Sequence, residues 1–196
     1  MHHTIFDTPI VNTLLRWLSL GFLRMMGWKV VGKLPANAAK SVLIAAPHTS
    51  NWDLPYTLMV AFALRLNVHW MGKASIFKPP FRGVMMWLGG IPVDRSQTNN
   101  LVAVSSAAIM QAKGPLQLIV PPEGTRRGTR FWKTGFYYIA EVAGVPIVMA
   151  FLDYEKKIGG LGQVFQTTGD IEADMAAIKA FYAAVKGKNT DQFYAD

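Results

Sequence analysis

The hydrophobic positions of this sequence follow two spacings in turn, and this alternation predicts an α/β fold. Short, continuous apolar runs of the kind found in buried strands occur at Ser41–Ala46, Leu116–Val120 and Pro146–Leu152. Between them lie stretches in which apolar residues recur three and four positions apart, as in amphipathic helices. The sequence therefore predicts a mostly parallel central sheet flanked by helices.

The other predicted elements follow the same alternation. Further strands are predicted at Trp28–Gly32, Val68–Met71 and Ile91–Val93, with an edge strand at Gln163–Thr168. The predicted helices are Leu54–Leu66, Pro80–Leu88, Asn99–Ala112, Thr134–Ala143 and Glu172–Val185. Gly159-Gly160-Leu161-Gly162 lacks the spacing of a dinucleotide-binding loop and is predicted to be a turn.

Residues 1–33 are predicted to form an amphipathic, membrane-associating helical segment ahead of an α/β domain at 34–196. The apolar positions at helical spacing are Val11, Leu14, Leu15, Leu18, Phe22, Met25 and Met26. Two arginines, Arg16 and Arg24, make the segment too polar to span a bilayer. One interpretation is a helix, or a helical pair broken near Gly21, lying in the membrane interface with both arginines toward head groups. The alternative is a helix packed on the domain core.

The amino-acid composition favours some classes of binding partner over others. Of the 196 residues, 51% are apolar and only 16% are charged, below the ~25% charged fraction of typical soluble proteins. The formal net charge of +8 attracts nucleic acid, anionic lipid or small anions. The low charge density favours lipid, and no nucleic-acid partner is predicted. The chain has no cysteine, which excludes disulfides and a thiolate nucleophile, and its histidines show no metal-binding spacing.

Two polar loops follow predicted buried strands, where parallel sheets place their functional sites. The first contains His48 and Asp53. Histidine is a suitable general base near neutral pH, and a carboxylate beside it fixes the tautomer and stabilises the imidazolium. These side chains can meet if His48 lies in the loop and Asp53 begins the next helix. The alternative is that Asp53 is only a helix cap and His48 an ordinary loop histidine.

The second loop contains Glu123, Gly124, Thr125 and Arg126, a combination that favours an anion site. The arginine fork binds phosphate, the glycine permits a tight turn, and Glu123 can pair with an arginine. The alternative is a solvated polar turn. Lys73 and Arg95 each lie near the end of a short predicted strand, and either can add positive charge to the site or be an ordinary surface cation.

Taken in order, three blocks resemble the lysophospholipid/glycerol-phosphate acyltransferase family. They are the His48-x4-Asp53 pair, the stretch Gly89-Gly90-Ile91-Pro92-Val93-Asp94-Arg95, and Pro122-Glu123-Gly124-Thr125-Arg126. Val145-Pro146-Ile147-Val148 looks like the fourth block of that family, and Lys73 to Phe81 looks like the approach to its second. The resemblance covers about residues 40–152.

The resemblance implies an O-acyltransferase at the cytoplasmic face of a membrane. His48 would be the general base and Asp53 its orienting partner, while Lys73, Arg95, Glu123, Gly124, Thr125 and Arg126 would bind the acceptor. The acyl donor would be acyl-CoA or acyl-carrier protein, with no other cofactor and no acyl-enzyme. The acceptor would be the hydroxyl of a lysophospholipid-like or glycerol-phosphate-like membrane lipid.

Two other functions are open to this sequence. A non-catalytic protein that binds anionic lipid on the same scaffold would bind liposomes without turnover. A nucleic-acid-binding module is motivated only by the basic charge, and its binding would be steeply dependent on salt.

Overall fold

Seven strands form one sheet in the computed structural model, which describes residues 3–93 and 98–194. The strands are β1 (Lys29–Val31), β2 (Lys40–Ala45), β3 (Val68–Lys73), β4 (Gly90–Val93), β5 (Leu116–Val120), β6 (Ile147–Asp153) and β7 (Ile158–Phe165). Their order across the sheet is β1-β7-β6-β2-β5-β3-β4. Every pairing is parallel except that of β6 with β7, which is antiparallel. The predicted mostly parallel α/β sheet is confirmed.

Six α-helices within residues 3–93 and 98–194 cover the sheet. They are α1 (Pro9–Met25), α2 (Asp53–Ala63), α3 (Arg82–Trp87), α4 (Thr98–Gln111), α5 (Gly135–Ala143) and α6 (Ile171–Tyr182). Each predicted helix is present to within a few residues at either end. None of the helices in the described part of the chain is long and apolar enough to cross a bilayer.

Side chains that alternate along the central strands fill two separate cores, one on each face of the sheet. On β2, Val42 and Ile44 point into a cluster built with α4, α5 and α6. Leu43, between them, points into a second cluster that receives side chains from α1 and α2 and Leu88 from the end of α3. The period of two in a strand therefore assigns the first three helices to one face and the last three to the other.

The N-terminal helix is continuous through Gly21, so the predicted alternative of a broken helical pair is wrong. Most of its predicted apolar stripe is exposed, including Leu14 and Leu18, while Val11 and Leu15 pack against the core. The face toward the domain also carries polar groups, since the buried Asn12 donates to the carbonyl oxygen of Phe6 over 2.7 Å. Arg16 also differs from the prediction: its Nε donates to Ala63 O at the end of α2 instead of pointing to head groups.

Strand β7 corrects two predictions. It was predicted as an edge strand beginning at Gln163, yet it begins at Ile158 and lies between β1 and β6. The glycine-rich stretch is part of this strand and not a turn. At Gly160 a Cβ atom would lie 2.0 Å from Val31 O, and at Gly162 it would lie 2.2 Å from the Phe181 ring. Glycine therefore permits the close approach of β1 at Gly160 and of the Phe181 ring at Gly162.

Candidate active site

The two polar loops lie side by side because β2 and β5 are parallel neighbours in the sheet. Both loops leave the carboxyl ends of these strands, where open parallel sheets carry their functional sites. The loop after β2 contains His48 and leads into α2. The loop after β5 contains Glu123 and Arg126.

His48 and Asp53 are in contact. The Nδ1 atom of His48 lies 3.2 Å from Oδ2 of Asp53. His48 is in the loop, and Asp53 is the first residue of α2, which is the arrangement that the spacing requires. Because Nδ1 faces the carboxylate, Nε2 is the nitrogen that can exchange a proton with a substrate.

Asp53 orders the loop before it and does not act as an N-cap of its own helix. The same Oδ2 accepts the backbone N–H groups of Thr49 at 2.8 Å and Ser50 at 2.9 Å, both of which precede α2. Burial alone would raise the pKa of Asp53, but hydrogen bonds from His48, Ser50 and Tyr154 hold that pKa below its ordinary value. The carboxylate is therefore ionised and ready to stabilise an imidazolium.

Glu123 does not pair with an arginine among the residues that the structure describes, in contrast to the prediction. Its Oε1 accepts the backbone N–H of His48 at 2.7 Å, and the residue is only 2% exposed. Its Oε2 is buried without a partner in that same described part of the chain. Burial raises the pKa of Glu123 to about 7, against the lowering effect of the His48 N–H. Glu123 thus links the second loop directly to His48.

Arg126 reaches across to the first loop. Its guanidinium donates to the side-chain oxygen of Asn51, which brings a cation to the loop that contains His48. Gly124 adopts a φ of +63°, the left-handed region that favours glycine. Thr125 stabilises the following turn, because its Oγ1 accepts the N–H of Arg127 at 3.2 Å.

Two predicted acceptor-binding residues have no described side chain. Lys73 is the last residue of β3, and its backbone places it at the same edge of the sheet as the two loops. Arg95 lies outside the described residues. The roles assigned to both stay predictions.

Two residues that the sequence analysis did not select contact the His48 loop. The hydroxyl of Tyr154 donates to Oδ1 of Asp53 at 2.8 Å. Asn189 donates twice to Thr49, from its backbone N to Oγ1 at 3.2 Å and from Nδ2 to the carbonyl oxygen at 2.8 Å. Both contacts bridge more than 100 positions in the chain, so no local spacing indicates them. For Tyr154, its position directly after the buried strand β6 is the sequence feature that could have indicated a place in the site.

The C-terminal segment that contains Asn189 lies against both loops. Lys188 stacks on the ring of Trp52, with 4.8 Å from its Nζ to the centroid. Arg130, in the second loop, lies over the ring of Tyr194 at 5.4 Å. The segment therefore fixes how the histidine loop and the arginine loop sit relative to each other.

The geometry defines a class of site: a histidine–carboxylate pair at the carboxyl edge of a parallel sheet, with a cation one loop away. Residues 27–151 match the model of the Acyltransferase family. The chain therefore belongs to the acyltransferase family, and the matched region contains both loops.

Comparison with individual proteins agrees with this membership. The chain is 30% identical over 131 residues to a Salmonella typhimurium protein described as 1-acyl-sn-glycerol-3-phosphate acyltransferase, covering 63% of this chain and 52% of that one. A Haemophilus influenzae protein of the same description is 28% identical over 145 residues, covering 70% and 59%. The chain spans about half the length of the curated relatives it matches.

The fold is similar to that of a solved structure. The crystal structure of PlsC, the 1-acyl-sn-glycerophosphate (LPA) acyltransferase from Thermotoga maritima, superposes with a TM-score of 0.52. The superposition covers 88% of this chain and 81% of that chain at 16% identity, which is evidence for the shared fold alone.

Proposed function

We propose that this protein is an O-acyltransferase that moves a fatty-acyl group from acyl-CoA or acyl-carrier protein to a hydroxyl of a glycerol-phosphate-like or lysophospholipid-like acceptor. The observation that carries the proposal is the contact between His48 Nδ1 and Asp53 Oδ2 in a loop that Arg126 also reaches. Through this contact Asp53 orients His48 to act as a general base, and Arg126 supplies an anion-binding group in the neighbouring loop. Family membership and the names of the relatives support the same reaction class.

In the proposed reaction, Nε2 of His48 takes the proton of the acceptor hydroxyl while that oxygen attacks the thioester carbonyl carbon. Asp53 stabilises the imidazolium that forms. The carbon–sulfur bond then breaks, and the leaving thiolate takes the proton from His48. The new ester and the free thiol account for all atoms, so the chemistry uses the donor thioester and no further cofactor.

The anionic group of the acceptor would lie at the second loop. Arg126 donates to Asn51 in the histidine loop, and Gly124 and Thr125 shape the turn that presents it. Lys73 and Arg95 are proposed to complete the positive surroundings. Glu123, through its bond to the His48 N–H, is proposed to set the distance between the anion site and the base.

We also propose that residues 1–33 hold the acyltransferase domain at 34–196 against the cytoplasmic face of a membrane. The exposed apolar residues of α1 support this, since an apolar stripe on the surface of a helix marks contact with lipid or protein. The acceptor and the acyl chain are both lipids, so a membrane surface brings them to the site. Nucleic acid has no part in this proposal.

The test follows release of free thiol from a long-chain acyl-CoA in the presence of lipid vesicles and a panel of acceptors. Thiol release is expected only with an acceptor alcohol, and His48→Ala should abolish it, because a positioned base contributes about 10²–10⁴-fold. A His69→Gln variant changes a histidine outside the loops and should keep full activity.

Two outcomes would count against this assignment. Full activity in a folded His48→Ala variant would show that His48 is not the base. Vesicle binding by the wild-type protein without turnover on any acceptor or either donor would favour the non-catalytic lipid-binding alternative.

A further inference from the structure

A second exposed apolar surface lies around α3, far along the sheet from β1 and its neighbours. It consists of Ile76, Phe81, Val84 and Trp87, which we call the α3 surface. Phe81 is 62% exposed and Val84 51% exposed, although both are large apolar residues that are normally buried. From Phe81 to Trp87 these residues recur every third position, so they share one side of the helix.

The stretch of sequence that carries this surface has charged residues of one sign. Residues 54–93 contain no Asp or Glu, whereas they contain four Lys or Arg residues. Two of the four, Lys78 and Arg82, lie between Ile76 and Val84 in the sequence and are exposed. An apolar surface with cations next to it in the sequence is complementary to an anionic lipid surface, where apolar groups enter the acyl region and cations contact head groups.

The α3 surface lies on the same face of the sheet as α1. Leu88, at the end of α3, packs into the core cluster that also receives Val11 and Leu15 from α1. The large exposed residues of α1 and α3 therefore belong to one layer of helices. The opposite layer has exposed apolar residues too, such as Val142, but it also contains Glu141 and Glu172.

We propose that the α3 surface is a second contact with an anionic bilayer, so that the protein lies on the membrane through α1 and α3 together. The inference rests on the proposed membrane-bound function and adds an orientation to it. A second copy of the chain is a less suitable occupant, because a two-fold interface built from this surface would bring the Lys78 and Arg82 side chains of both copies into one interface.

The absence of cysteine from the chain allows a direct test with single labelled positions. Val84→Cys, Leu14→Cys and Val142→Cys report on the α3 surface, on α1 and on the opposite layer. Each carries an environment-sensitive fluorophore and is mixed with vesicles of phosphatidylglycerol and phosphatidylcholine. We expect a blue shift and quenching by spin-labelled lipid at positions 84 and 14, and neither at position 142.

Three results would overturn the inference. A label at position 84 that stays in water while the label at position 14 enters the bilayer would show attachment through α1 alone. Labels that all stay in water would remove membrane attachment altogether. A blue shift at position 84 that depends on protein concentration without vesicles would show self-association, which also contradicts the inference.

A second measurement gives the size of the effect. Phe81→Ser with Val84→Ser should weaken binding to the anionic vesicles by about tenfold or more, because partitioning scales with the apolar area buried. The matched control is Met110→Ser with Val142→Ser, which removes two exposed apolar side chains from the opposite layer. Equal loss of binding in the two double variants would contradict a specific contact.

An independent observation concerns Tyr154, and from it we infer that this residue positions Asp53. Its hydroxyl binds Oδ1 of Asp53 at 2.8 Å, the carboxylate oxygen that does not face His48. Its ring is held by Trp28 and Tyr56, with centroids 5.1 and 5.8 Å away. The carboxylate is therefore held at both oxygens, and the ring that holds Oδ1 has little freedom to move.

The test of this role compares Tyr154→Phe with Tyr56→Phe, which removes a hydroxyl from the same aromatic cluster without touching Asp53. In the acyltransferase assay, Tyr154→Phe should lower kcat about tenfold at unchanged KM, since a hydrogen bond to a charged group is lost. Tyr56→Phe should keep the wild-type kcat, and thermal unfolding should show that both variants are folded at the assay temperature.

Unchanged kcat in Tyr154→Phe, or equal losses in both variants, would overturn the positioning role. The wild-type protein is assayed first. Absence of turnover there would defeat the proposed function and this inference with it, whereas turnover followed by an unaffected Tyr154→Phe variant would defeat only the inference.

Discussion

At the residue scale, the pKa values of two carboxyl groups next to the same histidine are shifted in opposite directions. Asp53 accepts four hydrogen bonds, and its pKa lies below the ordinary value. Glu123 accepts one, and burial raises its pKa to about 7. Environments that separate two carboxyl groups in this way commonly give them separate roles. Here Asp53 contacts Nδ1 of His48, while Glu123 joins the two loops.

The raised pKa of Glu123 predicts a dependence of stability on pH. The folded protein binds this proton more tightly than the unfolded chain does, so the contribution is complete below about pH 4.5 and is lost as pH rises through about 7. Relative to Glu123→Gln, the wild-type free energy of unfolding should fall by about 2–3 kcal/mol between pH 4.5 and pH 8. Denaturant unfolding at both pH values measures this difference.

Glutamine is the suitable replacement because its carbonyl oxygen can still accept the His48 N–H. Asp53 titrates at lower pH in both proteins, so it cancels in the comparison. A difference between wild type and variant that does not change with pH would show that Glu123 stays ionised when buried.

Arg126 and Arg127 are adjacent in the sequence, but their replacement is expected to change the KM for the acceptor by different amounts. Arg126 donates to Asn51 beside His48 and is proposed to bind the acceptor anion. Arg126→Ala should raise the KM for a phosphate-bearing acceptor by about tenfold to a hundredfold, because a charge-assisted bond is lost. Arg127→Ala should change KM little. Equal effects of the two substitutions in steady-state kinetics would argue against a specific site at Arg126.

At the element scale, different residues of α1 are expected to affect folding stability and membrane contact. Leu14 and Leu18 are exposed in the free protein, so Leu14→Ser with Leu18→Ser should leave the free energy of unfolding nearly unchanged. The same change should weaken binding in a vesicle sedimentation assay. Leu23, on the buried side, should behave in the opposite way: Leu23→Ala is expected to lower stability by about 2–4 kcal/mol. Unimpaired sedimentation of the double variant would place lipid contact elsewhere.

Strand β7 depends on glycine because it runs close to β1. A Cβ atom on Gly160 would meet the backbone of Val31, so Gly160→Ala should destabilise the protein by about 2 kcal/mol or more. Gly21, within α1, has open space around it. Gly21→Ala should therefore be neutral or stabilising by up to about 1 kcal/mol. Thermal unfolding of both variants tests these two predictions. An unchanged unfolding temperature in Gly160→Ala would show that β1 can move away from β7.

At the scale of the whole molecule, positive charge is concentrated in the first half of the sequence. Residues 8–93 contain nine Lys or Arg residues and one carboxylate, Asp53. This stretch contains α1, α2 and α3 together with β1 to β4, and it accounts for the entire formal net charge of +8. The stretch that contains α5 and α6 has mixed charges. Attraction to an anionic surface is therefore concentrated in the first half of the chain.

The strand and helix pattern was largely predictable because local spacing reports burial. The apolar run Leu116–Val120 is β5 to the residue, and the alternation of elements indicated a parallel sheet. The strand predicted at Gln163 was misplaced, because the glycines before it reflect the nearness of Val31 and Phe181, which no local spacing shows. The orientation of α1 was equally hidden, since an apolar stripe fits a core as well as a membrane.

The sequence by itself determined the ordered blocks, with His48 and Asp53 in one and Arg126 in another, because catalytic residue types and their separations are properties of the chain. Only the tertiary structure decided what those residues touch. Glu123 binds the His48 N–H, Tyr154 holds Asp53, and Asn189 holds Thr49. Each of these contacts joins positions at least 75 apart, and such pairs meet only after the sheet has ordered its strands.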